Sequence, residues 1–167
     1  MSLVVGSRQD ARSIGKIYRE AFPQSIQLFF GARKPQELLD LLELSFSLVF
    51  LWGGKGLLTA SEAGEIYGYC LYRSTQKDPP HWPQLAWALL EMARSIKPTE
   101  AGRLAYNKLL MAANTKITKA PAKPGARIIS IAVAPQFQGR GLGSKLLSGA
   151  LQELAREPVL LNVRPQN

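Results

Sequence analysis

The sequence predicts an α/β fold in which helices flank a mixed β-sheet. Three observations support this prediction. Short runs of β-branched and apolar residues alternate with longer segments in which apolar residues recur at helical spacing. Two of the short runs flank a glycine-containing turn, which is typical of a β-hairpin. The last two runs are separated by a single helical segment, which predicts a right-handed βαβ unit.

The first third of the chain predicts one strand followed by two helices. Residues 3–5 form the short strand, and an apolar face at helical spacing predicts a helix that ends at Pro23. Residues 24–34 are predicted to form a loop with exposed aromatic side chains. Pro35 suits the first turn of the second helix, which ends at a pair of glycines.

The hairpin consists of residues 57–61 and 66–73. Its second strand is apolar on both faces and is therefore predicted to be a central strand. Simple alternation along this strand predicts one face made of Tyr67, Tyr69, Leu71 and Arg73, and the opposite face made of Ile66, Gly68, Cys70 and Tyr72.

Residues 74–125 carry two segments of helical spacing between proline-containing breaks. Two short helices cannot enclose a core alone, so we interpret this stretch as a helical insertion between the third and fourth strands. The chain as a whole, 1–167, is therefore predicted to form a single domain.

A glycine-rich loop joins the fourth strand, residues 127–134, to a helix that begins near Gly143. The strand stops at Pro135, and alternate glycines at 139, 141 and 143 lead into the helix. Such a turn exposes backbone N–H groups at the positive end of the helix dipole, where phosphate binds. The sequence therefore predicts an anion-binding loop, followed by a last strand over 159–163.

The spacing of the glycines excludes two common phosphate-binding motifs. A Walker loop needs a lysine directly after its last glycine, whereas Ser144 follows Gly143 here, and the dinucleotide pattern of glycines is absent. What remains is Gln138-x-x-Gly141-x-Gly143 after a strand. This pattern resembles the GNAT superfamily of N-acetyltransferases, which have Gln or Arg-x-x-Gly-x-Gly or Ala at a strand-to-helix junction.

The resemblance implies a GNAT-like mixed central sheet that binds acetyl-coenzyme A (acetyl-CoA). In the family the glycine loop holds the pyrophosphate, and the pantetheine arm pairs with the backbone of the preceding strand. An asparagine after the next strand also meets the pantetheine arm. Carried over to this sequence, the implied binding residues are Ile131, Ala132, Val133, Gln138, Gly139, Arg140, Gly141, Leu142, Gly143, Ser144 and Asn167.

The implied activity is acetyl transfer to a primary amine, either a small molecule or a peptide, by direct attack on the thioester. The backbone N–H of Val133 or a neighbour is expected to polarise the carbonyl. The general base and acid are not identified. Arg127 lies near the position where family members often have a glutamate, and Glu62 or Glu65 acting through water is an alternative. A coenzyme-A-binding module with little or no catalysis is the second interpretation.

After Asn167 the family pattern continues with a tyrosine-bearing helix and two strands, which this chain lacks. The last strand is therefore expected to have an uncovered edge, through which the protein associates with itself. The net charge of +9 favours anionic ligands, but scattered charge alone does not indicate nucleic acid. We expect a cytoplasmic protein without a membrane or metal partner, since neither a membrane-length apolar run nor metal-ligand spacing is present.

Overall fold

The computed structural model describes residues 2–31, 33–75, 80–96, 100, 102, 125–155 and 157–161. These residues form a five-stranded sheet in the order β1-β2-β3-β4-β5. The strands are β1 (Ser2–Gly6), β2 (Lys55–Ala60), β3 (Ile66–Arg73), β4 (Ala126–Val133) and β5 (Val159–Leu161). The first four strands pair antiparallel, whereas β4 and β5 pair parallel, which confirms the mixed sheet and the central position of β3.

Five helices accompany the sheet in the described part of the chain. They are α1 (Ala11–Ala21), α2 (Pro23–Phe30), α3 (Pro35–Leu51), α4 (Trp82–Ser95) and α5 (Leu142–Glu153). The predicted loop over 24–34 is wrong, because α2 occupies most of it. Pro23 lies in the first turn, where its fixed φ suits a helix, and Ile26 and Phe30 pack against the core.

The sheet has one hydrophobic layer on each face. Helices α1 and α3 cover one face, and their side chains pack against those of Leu58, Tyr69, Leu71 and Ala132. Helix α5 covers the other face, where Leu142, Leu146, Ala150 and Leu154 pack against Leu57, Cys70, Tyr72, Ile128 and Val133. We call these the α1 face and the α5 face.

Two register shifts change the simple alternation of side chains. In β3 the extra residue is Tyr67, which has no partner in β2, because Thr59 pairs with Gly68 and the next residue, Ala60, pairs with Ile66. Tyr67 therefore lies on the α5 face with Cys70, and the predicted grouping of Tyr67 with Tyr69 is wrong. In β4 the extra residue is Ile129, which lies between the pairs Tyr72–Ile128 and Leu71–Ser130.

Helix α4 confirms the first helical segment predicted within 74–125. It packs on the outer side of α3, where its Leu85 and Ala88 contact Leu51. The second predicted segment lies outside the described residues. No helix in the described part of the chain is long and apolar enough to cross a membrane. Strand β5 lies at the edge of the sheet, and self-association through it stays a prediction.

A clasp at Glu157 connects the end of β3 to the turn before β5. The Glu157 carboxylate accepts hydrogen bonds from the Ser74 hydroxyl, from the Thr75 N–H at 2.6 Å and from the Thr75 hydroxyl at 2.5 Å. These donors, the Ser74 hydroxyl first, lower the pKa of Glu157 below its ordinary value of 4.5.

The clasp predicts a pH-dependent loss of stability on replacing Glu157 with Gln. A carboxylate with a lowered folded pKa stabilises the fold above its unfolded pKa, and this contribution is lost as pH falls through the folded pKa. We expect Glu157→Gln to unfold more easily than the parent protein at pH 7, and the difference to shrink below pH 4.5 and vanish once pH has fallen through the lower folded pKa. Urea denaturation across pH measures it, with the exposed Glu62→Gln as control. A difference that is constant with pH would contradict the clasp.

Candidate active site

A cleft of about 580 Å³ lies where β4 ends and α5 begins. It contains every predicted binding residue except Arg140, which is not in its lining, and Asn167, which is outside the described residues. Phe137 and Leu147 also contribute, and none of the described residues that line the cleft carries a carboxylate. The lining consists of Ile131, Ala132, Val133, Phe137, Gln138, Gly139, Gly141, Leu142, Gly143, Ser144 and Leu147.

Two glycines of the loop are required by the backbone conformation. Gly139 and Gly141 both have φ of 74°, in the left-handed region that other residues rarely adopt. A Cβ atom at either position would meet nothing within 4 Å, so crowding is not the reason for glycine. Gly141 is the N-cap of α5, and the helical ladder begins when the Lys145 N–H donates to its carbonyl at 3.0 Å.

The first turn of α5 presents backbone N–H groups to the cleft. The amides of Leu142, Gly143 and Ser144 precede the first donor of the helical ladder and have no acceptor within the helix. No side chain caps this end of the helix, and its first turn contains no acidic residue. The helix dipole places partial positive charge at the same point. This arrangement suits an anion.

Gly143 differs from the other two loop glycines. Its φ is not positive, and a Cβ atom built there would have only the Val133 Cγ2 atom nearby, at 3.9 Å. Neither the fold nor local packing therefore requires glycine at this position, and alanine would be a better helix former. The missing side chain instead leaves the first turn of α5 open to the cleft.

The side chain of Gln138 holds the loop against the strand that precedes it. Its Nε2 donates to the carbonyl of Val133 at 2.9 Å, which connects the loop to the end of β4. Arg140 lies beside the cleft, with its guanidinium 5.3 Å from the centre of the Phe137 ring. That ring stacks on Tyr67 at 4.0 Å, so the outer wall of the loop is aromatic.

Among the described residues, one edge of β4 has no strand neighbour along the cleft. Strand β5 pairs only with Ala126, Arg127 and Ile128. Beyond Ile128, the β5 side of β4 has no strand neighbour within the described residues, whereas the other side remains paired with β3 up to Val133. The backbone from Ile131 to Val133 is therefore available to pair with an extended ligand.

The candidate catalytic side chains lie at different ends of β4. Glu65 accepts a hydrogen bond from the Tyr67 hydroxyl at 3.2 Å, and the backbone carbonyl of Tyr67 accepts one from the Ala134 N–H at 2.8 Å, so both residues lie at the loop end of β4. Glu62 is exposed in the hairpin turn. Arg127 is at the opposite end of the strand.

Three buried groups on β3 are poor proton donors or nucleophiles. Burial raises the pKa of the Cys70 thiol to about 12 and the pKa of Tyr72 to about 12, the latter with help from Glu153. Burial also raises the pKa of Tyr69, whose hydroxyl lies 2.9 Å from the Ser130 hydroxyl. All three stay protonated at neutral pH. Among the described residues, no three His, Cys, Asp or Glu side chains form a metal-binding group.

A mixed sheet with a glycine loop between a half-free strand and a helix defines an acetyltransferase-type α/β domain. The model of the acetyltransferase (GNAT) family matches residues 13–167, and the chain belongs to this family. This confirms the resemblance seen in the sequence.

Solved structures show the same fold. An N-acetyltransferase from Staphylococcus aureus Mu50 matches with a TM-score of 0.60 at 16% identity, covering 100% of this chain and 84% of that one. A structure described as histone acetyltransferase HPA2 and related acetyltransferase, from Corynebacterium glutamicum, matches with a TM-score of 0.57 at 17% identity, covering 96% and 75%. A search of curated protein sequences finds no significant match.

The two kinds of loop glycine predict opposite effects of alanine on stability. Gly141→Ala forces a Cβ into the left-handed region and should cost about 1–2 kcal/mol. Gly143→Ala removes a flexible residue from a helix and should stabilise by up to about 1 kcal/mol. Thermal and urea denaturation of the two variants measure the contrast. Equal destabilisation by both would show that the loop does not have the described backbone.

Proposed function

We propose that this chain transfers the acetyl group of acetyl-CoA to a primary amine. The observation that supports this most strongly is the cleft itself, in which open backbone amides meet the edge of β4 that has no neighbour among the described residues, and whose described lining includes no carboxylate. GNAT acetyltransferases generally use acetyl-CoA. The residues of the cleft suit the two chemically different parts of that molecule.

The amides of the loop and the first turn of α5 suit the pyrophosphate. Gly143 leaves room for an anion to approach them, since no side chain covers the turn. A hydrogen bond to a charged group contributes about 1.5–3 kcal/mol. Three such bonds contribute about 4.5–9 kcal/mol, which is comparable to the roughly 8 kcal/mol of a micromolar complex, so contacts with the rest of the coenzyme must offset the ordering costs.

The free edge of β4 suits the pantetheine arm. Amide groups in this arm can pair with the backbone from Val133 back to Ile131, as an added strand would. The thioester would then lie closer to the start of β4 than the glycine loop does. Its carbonyl would be near the backbone N–H of Val133 or a neighbour. The apolar side chains of Ile131 and Leu147 line the same part of the cleft.

The reaction is a direct transfer. The lone pair of the amine attacks the carbonyl carbon, the carbon–sulfur bond breaks with its electrons leaving on the thiolate, and the amine nitrogen loses one proton. Glu65 is badly placed to accept that proton. Gly68 is the partner of Val133, and Glu65 lies three residues before Gly68. Glu65 is therefore about 10 Å from Gly68, in the direction away from the thioester.

The alternative of coenzyme A binding with little or no catalysis takes its support from this placement of Glu65. A turnover assay with a panel of amines separates it from acetyl transfer. Enzymatic release of free thiol that requires both acetyl-CoA and an amine supports transfer, and binding without release supports the alternative.

Binding of coenzyme A should depend on the open space at Gly143. In Gly143→Leu the side chain points back toward the start of the helix and covers the amides, so we expect affinity for coenzyme A to fall at least tenfold. The fold should be retained, because leucine is the better helix former. Gly141 is less suitable, since its φ of 74° would add backbone strain.

Isothermal titration calorimetry with coenzyme A measures this effect. Ser148→Leu is the matched control, since Ser148 is exposed in the same helix and does not line the cleft. Unchanged affinity in a folded Gly143→Leu protein would refute the proposed pyrophosphate position.

A further inference from the structure

Two arginines lie directly opposite each other in the sheet. Arg73 at the end of β3 pairs in register with Arg127 near the start of β4. Directly opposed side chains of an antiparallel pair lie on the same face, where like charges destabilise the sheet. Within the described part of the chain neither arginine side chain has a hydrogen bond or ion pair, whereas those of Arg12, Arg33 and Arg94 each contact a carboxylate. The fold alone does not account for this pair.

The arginine pair lies on the α1 face. Tyr69 and Leu71 precede Arg73 at two-residue spacing and belong to the core of that face. Arg127 lies between Ala126 and Ile128, which both face α5, so its side chain is on the opposite side. Arg73 is half-buried and Arg127 is exposed, so both remain open to a solute.

The pair is too far from the glycine loop to bind the pyrophosphate. Val133 lies six positions after Arg127, which corresponds to roughly 20 Å along the strand. The thioester proposed above lies beside the β4 backbone between Val133 and Ile131, and Ile131 is four positions from Arg127, roughly 13 Å along the strand. The pair and the proposed thioester are therefore separated by a distance that one small acceptor molecule can span.

We propose that Arg73 and Arg127 bind an anionic group of the acetyl acceptor, so that the substrate is a small primary amine that also carries a carboxylate or phosphate. A guanidinium group can donate two parallel hydrogen bonds to two oxygens of either anion. An anion between the arginines also removes their mutual repulsion. The Glu157 carboxylate lies near this end of the strands, but it is held by Ser74 and Thr75 and lines a cavity with Tyr72, which belongs to the α5 face. This inference rests on the proposed acetyl transfer.

The first test compares matched acceptors that differ only in the anion. Alanine and alaninamide probe the carboxylate, and glucosamine 6-phosphate and glucosamine probe the phosphate. We expect the parent protein to prefer the anionic member of at least one pair. Arg73→Gln and Arg127→Gln should each lower kcat/KM for that member about tenfold, the scale of one charge-assisted hydrogen bond, and leave the neutral member unchanged.

Two controls distinguish a loss of acceptor binding from a general loss of folding or catalysis. KM for acetyl-CoA should not change in either variant, and Lys16→Gln, which removes an exposed charge on α1, should leave the preference intact. No preference for an anionic acceptor in the parent protein would overturn the inference, and so would a preference that survives in both arginine variants.

The second test does not depend on turnover. N-acetylalanine and N-acetylglucosamine 6-phosphate are the acetylated anions, and each is compared with its neutral counterpart for its effect on melting temperature. At least one anion should stabilise the parent and Gly143→Leu proteins but not Arg73→Gln/Arg127→Gln. This result would hold even if the protein failed to bind coenzyme A, which would refute only the proposed function. Stabilisation by neither anion, or equal stabilisation of the double variant, would overturn the arginine site.

Discussion

The pairing of β3 with β4 is the constraint on which the rest of the structure depends. Strand β3 is buried on both faces, so a slip by one residue would move charged or polar groups into a core. The extra residue Ile129 makes this register unusual, because it places Arg127 and Ser130 on the same face although they are three residues apart. The one strand thereby supplies the cleft on the α5 face and polar groups on the α1 face.

The limited pairing of β4 with β5 has a second consequence. Among the described residues, β4 has a strand neighbour on both sides up to Ile128 and on the β3 side alone beyond it. A backbone edge without a neighbour is costly in most proteins and invites association. Here the free edge runs into the open amides of the loop, so a ligand that pairs with the strand also reaches the helix terminus. The loop needs both an unusual backbone conformation and open space at the helix terminus. Gly139 and Gly141 provide the conformation, and Gly143 provides the space.

Local patterns in the sequence predict most of this architecture. Residue periodicity and turn chemistry suffice for β3, α3, α5 and the glycine loop, because each is specified within about ten residues. The sequence does not predict helix α2, because the helix is only eight residues long and three of its aromatic and aliphatic side chains are exposed or half-buried. Its contact with α1 is formed only in the folded protein. The sides taken by Tyr67 and Arg127 could not be predicted either. They depend on register shifts, which arise between strands and leave no local signal in either one.

Charge is distributed along β4 in a way that net charge conceals. The open helix terminus lies at one end of the strand and the Arg73–Arg127 pair at the other, roughly 20 Å away. That separation exceeds the Debye length of about 8 Å at physiological ionic strength, so the two positive regions are largely screened from each other. An anion bound at one end therefore neither repels nor attracts an anion at the other to a useful degree. In the proposed reaction, two negatively charged molecules occupy the opposite faces of one strand, and the acyl group passes across the edge of β4 between them.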